Sequence, residues 1–314
     1  MRSKLVPSTS RTHDHLLAVL NTELRHNRRP ATIRVLDAGC GDGKLMSYLH
    51  LSMALLQPEY SVEIHGFDVT DYRGRECPVE NSCVDRLESE CPGINWRERV
   101  RLISVRDGWP FDDGFFDFVV SNQVLEHVFD ADHFLAEVRR TLCQRGRSFH
   151  LFPLRSCVYE GHLGMPFAHW IQNFDVSVLY LKALASLGLG EFRTYGREAG
   201  VTLQNWAEAH ADFLSNCVHY RSYQWWLDRA KRHGLRCSFR YSSELYLQKL
   251  RSLCRIAASL EYAYDRFVLG EWIALQVTRW LASITLCLEN TDSYANSLFV
   301  RGPAHVGSSC SMSS

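Results

Sequence analysis

The stretch Arg34–Leu45, RVLDAGCGDGKL, decides how the rest of the chain is read. An apolar run ends at Asp37, Gly39, Gly41 and Gly43 follow at two-residue spacing, and Lys44-Leu45-Met46 opens a helical pattern. A strand that runs through glycines into a helix can lay backbone N–H groups against a ligand, and glycine permits the tight turn this needs. The dinucleotide pattern G-x-G-x-x-G is not met, because Lys44 stands where its third glycine belongs. No G-K-[ST] follows at phosphate-loop spacing.

Outward from this turn, strands alternate with helices. Ile33–Leu36 reads as a strand, Lys44–Leu56 as a helix, and Val62–Phe67 as a second strand ending at Asp68. Val100–Val105, Phe116–Ser121 and Ser148–Pro153 read as further strands, with a helix over Phe134–Cys143 and an earlier one over Thr12–His26. This alternation predicts an α/β fold, a doubly wound, mostly parallel sheet of Rossmann-like type with helical insertions in the C-terminal half. Residues 175–232 are helical and aromatic-rich, and Arg236–Tyr241 and Ser283–Glu289 can add two strands. The expected layout is a ligand-binding core over 12–153 and a helical cap or acceptor region over 154–235. The remaining strands and helices over 236–290 complete the sheet, and 1–11 and 303–314 are expected to be disordered. In 267–288, Trp272, Leu275, Val277, Thr278 and Trp280 suit a buried helix. Glu271, Gln276 and Arg279 interrupt the run of about 20 apolar residues that a membrane span requires.

The chain has 314 residues, 46% of them hydrophobic, which is enough for a substantial core. Its 35 basic and 35 acidic residues cancel, which argues against nucleic acid as a partner. The eleven cysteines are odd in number, contain no C-x-x-C pair and follow no secretory signal, so reduced thiols and a cytoplasmic location are expected. Cys77, Cys83 and Cys91 lie close in sequence, yet packing thiols are favoured and no metal is expected there.

Two acids narrow the ligand. Asp37 would repel a pyrophosphate but can engage an amine. Asp68, in EIHGFDVT at the end of a strand, can accept hydrogen bonds from both hydroxyls of a ribose. The pair asks for a nucleoside with a cationic amino group and no pyrophosphate, a description that S-adenosylmethionine fits.

VLDAGCGDG, GFDV, RDGWPFDDGFFDFVVSNQVLEHV and CQRGRSFHLFP resemble the successive motifs of class I S-adenosylmethionine-dependent methyltransferases, in their small-molecule branch. The resemblance covers about Ile33 to Pro153. It departs at CQRGRSF, where relatives carry a Pro-Gly-Gly turn. It implies that Gly39, Gly41 and Gly43 let the backbone pass under the methionine part and ribose, and that Asp37 helps to place the amino group. It further implies that Asp68 holds the ribose hydroxyls and Val69 packs on the adenine. Asp107 would meet the adenine amino group, Gly108 would give the ring a backbone contact, and Asn122 would lie beside the methionine end.

The acceptor is less legible. YEGHLGMPFAHW follows the fifth strand, where the crevice of an open sheet lies. His162 and His169, with Glu160 nearby, are candidate bases for an acceptor hydroxyl. Residues that merely fix the loop are an equal reading, and metal ligands a lesser one. Glu126 and His127, at the opening of a helix beside the site, are the next candidates. The reading is of an enzyme that methylates a small-molecule, glycan or lipid-linked acceptor at oxygen. A protein or RNA methyltransferase is the first alternative, weakened because SNQVLEH stands where an N-P-P-Y-type tetrapeptide would. A non-catalytic binding module of the same fold is the second. Oligomeric state is not readable.

Overall fold

The computed structural model describes residues 10–27, 29–72, 75–76, 79–196, 200–264, 268–281 and 283–290. The termini expected to be disordered, apart from residues 10 and 11, lie outside these residues, as does Cys77. Seven strands form one sheet: β1 (Thr32–Ala38), β2 (Ser61–Val69), β3 (Val100–Ile103), β4 (Phe116–Asn122), β5 (Leu142–Phe152), β6 (Leu235–Ser238) and β7 (Ile284–Asn290). Their order is β6-β7-β5-β4-β1-β2-β3. The pairs from β3 to β5 are parallel, and β7 is antiparallel to both β5 and β6. The chain winds from β1 out through β2 to β3, then returns to β4 on the other side of β1. That reversal places a crevice at the carboxyl end of β1, where open α/β sheets bind ligands.

Alternation along the strands feeds two cores. Val35, Ile64, Phe118, Val120, Phe149 and Leu151 face one side with α1 (Arg11–His26) and α2 (Lys44–Leu56). Leu36, Val119, Phe152 and Leu286 face the other with α4 (Ala131–Thr141), α3 being Val79–Glu90. Such two-sided burial is why these strands read as nearly continuous apolar runs. A third core belongs to α5 (Phe174–Ser186), α6 (Leu203–Asn216) and the loop before them, and includes Leu163, Met165, Leu181 and Trp206. The helices α7 (Tyr223–Arg232), α8 (Ser242–Leu253) and α9 (Val268–Thr278) flank the last two strands.

Buried charge ties the first helix to the far half of the sheet. Glu23 is fully buried and accepts from Tyr241 Oη at 2.7 Å and from Arg147. Arg147 Nε in turn reaches Glu289 Oε1 at 3.0 Å.

The structure differs from the sequence reading in three places. The fifth strand begins at Leu142, not Ser148, because Leu142 pairs with Phe116 across a register shift. Gly146 permits this: a Cβ there would stand 2.9 Å from Phe116 O. Glu126 and His127 lie in a turn, and the helix starts later, where the Asp130 carboxylate accepts from His133 N at 2.9 Å. Finally, α9 is not buried: Leu275 packs inward, but Trp272, Ile273, Val277 and Trp280 are exposed. Among the described residues no helix is long and apolar enough to cross a membrane.

His150 yields a stability prediction. It is fully buried on β5 beside Phe134, with Nδ1 2.8 Å from Ser121 Oγ, and desolvation pushes its pKa down to about 3. The unfolded chain takes up a proton here near pH 6.5, while the folded chain refuses it until about pH 3. Stability from this group is therefore full above pH 6.5 and falls with pH below it, by ~1.4 kcal/mol per unit. Urea unfolding at pH 6.5 and pH 5 should show a loss in the parent chain larger by ~2 kcal/mol than in His150→Leu. Equal losses in the two chains would rule the assignment out.

Candidate functional site

The glycine turn is held by the tip of β2. Gly39 N and Cys40 N both donate to Phe67 O, at 2.9 and 3.0 Å. Gly41 N donates to Asp68 Oδ2 at 2.6 Å, and Val69 N to Asp68 Oδ1 at 2.7 Å. Two glycines of the turn play different parts. Gly39 has φ +79°, and a Cβ there would lie 2.6 Å from Val124 Cγ2. Gly41 has φ +51° with nothing within 4 Å of where a Cβ would sit, so its open face is available to a ligand.

Beside the turn lies a cleft with about 700 Å³ of empty space, partly open to solvent. Gly39, Asp68, Val69 and Asp107 line it, as does His127. Its walls are mostly apolar: Phe67 and Trp109 pack at 4.8 Å between ring centroids, with Ile103, Val124 and Phe134 around them. Phe129, largely exposed, belongs to the same wall. A slot of this kind suits a flat heteroaromatic ring with polar groups at one edge.

The other sequence candidates fall outside the lining. Asp37 is buried just before the turn, and desolvation, with the nearby Asp68 charge, raises its pKa well above the usual carboxylate value. A ligand ammonium brought alongside would favour its ionised form. Gly43 faces α3, where a Cβ would meet Cys83 Sγ at 3.0 Å. Gly108 follows Asp107, whose Oδ2 accepts from Ser104 N at 2.9 Å and so shapes that loop. Asn122 ends β4, and its Oδ1 is buried with no hydrogen-bond partner. Cys91 is buried, which pushes its thiol up to about 11, and Cys83 is buried against Gly43.

The histidines separate. His127 sits on the cleft wall, its Nδ1 3.0 Å from Cys217 O and its Nε2 3.1 Å from His162 Nε2. His162 Nδ1 lies 2.7 Å from Glu160 Oε1, so that carboxylate holds the imidazole pKa above its ordinary value against the opposing effect of burial. Glu160 also accepts from Tyr220 Oη and Leu163 N, each at 2.7 Å. His169 is not brought to this cluster as a base: its Nε2 is 3.2 Å from Arg155 O, and its ring packs on Tyr220 beside a different cleft. Glu126 is 1% exposed, neither carboxylate oxygen has a hydrogen-bond partner in another residue, and desolvation pushes it up to about 8 against the opposing effect of its own backbone N–H. Glu126 was legible only as a neighbour of His127. Phe129 carried no local signal; Trp109 was visible only as part of the RDGWPFDD motif and Tyr220 only as part of an aromatic-rich segment, because the tertiary fold alone brings them here.

A mostly parallel seven-stranded sheet with a glycine turn tied to an acid at the tip of the next strand is the frame of a nucleoside-binding α/β enzyme. The family model described as "Methyltransferase domain" matches residues 11–246, and the chain belongs to that family. It is a S-adenosylmethionine-dependent methyltransferase. No curated protein matches the sequence. Several solved structures are similar in fold. PKMT2 from Rickettsia typhi is 17% identical, with TM-score 0.49, covering 91% of this chain and 54% of that one. Geranyl diphosphate C-methyltransferase from Streptomyces coelicolor A3(2) is 12% identical, with TM-score 0.44 and coverages of 89% and 79%. Phosphoethanolamine N-methyltransferase 2 from Haemonchus contortus is 16% identical, with TM-score 0.39 and coverages of 86% and 51%. The chain spans about half the length of the first and last of these.

Gly39→Ala should cost about 1–3 kcal/mol, the usual scale of strained backbone, on top of the clash with Val124. Adding Val124→Ala should relieve the clash and leave the strain, so thermal unfolding should show only partial recovery. A neutral Gly39→Ala would mean that the turn is not held as described.

Proposed function

We propose that the enzyme transfers the methyl group to an oxygen of a small-molecule, glycan or lipid-linked acceptor that enters the cleft beside His127. The observation that carries this is the single cleft shared by the glycine turn, Asp68 and His127. In this reading the adenine lies among Val69, Ile103 and Trp109. The ribose hydroxyls meet Asp68, which keeps acceptor capacity because a carboxylate has about four lone-pair sites and two are in use. Asp37 and Asn122 serve the methionine end, and Asp107 and Gly108 the adenine edge. The acceptor oxygen bonds to the methyl carbon as the C–S bond breaks, and that bond's electron pair stays on sulfur. The sulfonium is already activated, so alignment and exclusion of water are the protein's main contributions.

Residues 154–235 act in this proposal as the cap that covers the acceptor, with 12–153 as the donor-binding core. The cytoplasm is the proposed location. A protein or RNA acceptor is the second reading, and the absence of net charge disfavours RNA.

Asp68→Ala should weaken S-adenosylhomocysteine binding by about 1–3 kcal/mol in calorimetry. Unchanged affinity would remove Asp68 from the site, and binding of NAD instead would overturn the donor assignment. Tritium transfer from labelled donor into a metabolite extract would reveal the acceptor; label appearing only in protein or RNA would favour the second reading. His127→Ala should lower turnover at least about 100-fold while cofactor affinity holds. Normal turnover in that variant would take His127 out of the chemistry.

A further inference from the structure

We propose that Glu126, His127 and His162 form a binding site for a divalent transition-metal cation at the wall of the cleft. One ligand atom from each lies within 4.8 Å of the others. Two independent features point to a cation.

The first is the pair of imidazoles. His127 Nδ1 faces Cys217 O at 3.0 Å, and His162 Nδ1 faces Glu160 Oε1 at 2.7 Å. A backbone carbonyl only accepts, and an ionised carboxylate only accepts, so each Nδ1 carries the hydrogen. In the neutral rings both Nε2 atoms then present lone pairs, and they face each other at 3.1 Å. Two lone pairs at that separation repel, so either a shared proton or a metal cation lies between or beside them. Two imidazole nitrogens bound tetrahedrally at about 2.0–2.1 Å lie only a little over 3 Å apart.

The second is Glu126. Its carboxylate is buried, and neither oxygen has a hydrogen-bond partner in another residue. In its ionised form a carboxylate so placed is costly without a compensating positive charge. A cation shared with the two Nε2 atoms supplies it.

The surroundings fit as well. Glu160 stands behind His162 as the carboxylate that orients a metal-bound histidine, and is itself fixed by Tyr220 Oη and Leu163 N. Two imidazoles and one carboxylate suit Zn²⁺ or Mn²⁺ better than Ca²⁺ or Mg²⁺, which favour all-oxygen sites. Three protein ligands leave coordination positions for a substrate, the pattern of catalytic rather than structural sites.

The use of the cation rests on the methyl-transfer reading, and gives the acceptor's chemical class: a hydroxyl that can bind a metal. The bound hydroxyl becomes more acidic. Its proton leaves to solvent water, its oxygen bonds to the methyl carbon, and the C–S bond breaks with its electron pair retained by sulfur.

The experiment uses the full chain, stripped with a chelator and titrated with Zn²⁺ or Mn²⁺ alone in calorimetry, with elemental analysis of the dialysed complex. One equivalent should bind. Glu126→Gln should abolish stoichiometric binding while S-adenosylhomocysteine affinity stays unchanged. Glu160→Gln keeps all three ligands and should weaken cation binding about 10–100-fold, so it decides the matter if Glu126→Gln does not fold. Mn²⁺ bound here should also broaden the proton resonances of S-adenosylhomocysteine. No cation bound by the parent chain would overturn the site and leave a proton shared by the two imidazoles. Equal binding by both variants would overturn it as well. Failure of S-adenosylhomocysteine to bind, with one cation still held, would sink the methyl-transfer reading and leave the cation site standing.

Discussion

Both oxygens of the Asp68 carboxylate are committed to backbone amides, one in its own strand and one in the glycine turn after β1. Phe67 O, one residue earlier, takes two further amides from that turn. Together they fasten the carboxyl ends of two adjacent parallel strands. The fastening works only in the register that sets Ala38 opposite Phe67, so it fixes the β1–β2 pairing as well as the turn. Hydrogen bonds to a charged group contribute about 1.5–3 kcal/mol each. A turn already shaped before any ligand arrives also spares the ordering cost of binding. Desolvation raises the Asp68 pKa, and the amides from Val69 and Gly41 oppose it, so the carboxylate can remain ionised at the mouth of an apolar cleft.

The parts of the fold that were legible in the sequence are those whose signals are local. The run to Asp37, the spaced glycines and the helix that follows need only neighbouring residues to be recognised. Two-sided burial made β1, β4 and β7 plain as apolar runs. The start of β5 was not plain, because CQRGR is polar and its pairing depends on how closely Gly146 approaches Phe116. Glu126 and His127 were read as opening a helix beside the site. Gln123 at φ +58° and the later cap at Asp130 place the helix start further on. On α9 the apolar residues were taken as core, although the fold leaves Trp272 and Ile273 on the surface.

The candidate site shows the same division. Asp37, Gly39 and Asp68 could be proposed from the strand ends alone. The cluster around His127 could not, because its members come from the turn after β4, the loop after β5 and the end of α6. His162 was singled out for its place past a strand end, and His169 for the same reason. Only the path of the loop separates them: a two-residue strand pair, Tyr159–Glu160 with Met165–Pro166, turns His162 toward His127 while His169 packs on Tyr220.

The turn after β4 is held from two sides by the segment that follows α6. Glu126 O accepts from His219 N at 2.5 Å, and His127 Nδ1 faces Cys217 O. Glu160 adds Tyr220 and Leu163 to the same network. The α5–α6 unit has its own apolar core, so it can hold its shape while these polar links set its position. A network of this kind is strong when satisfied and costly when one member lacks a partner. Here the unsatisfied member is Glu126, at the point where cap, sheet and cleft meet. A buried carboxyl group without a partner in another residue adds nothing to fold stability, so packing alone does not account for it. The cation site proposed at Glu126, His127 and His162 would account for it.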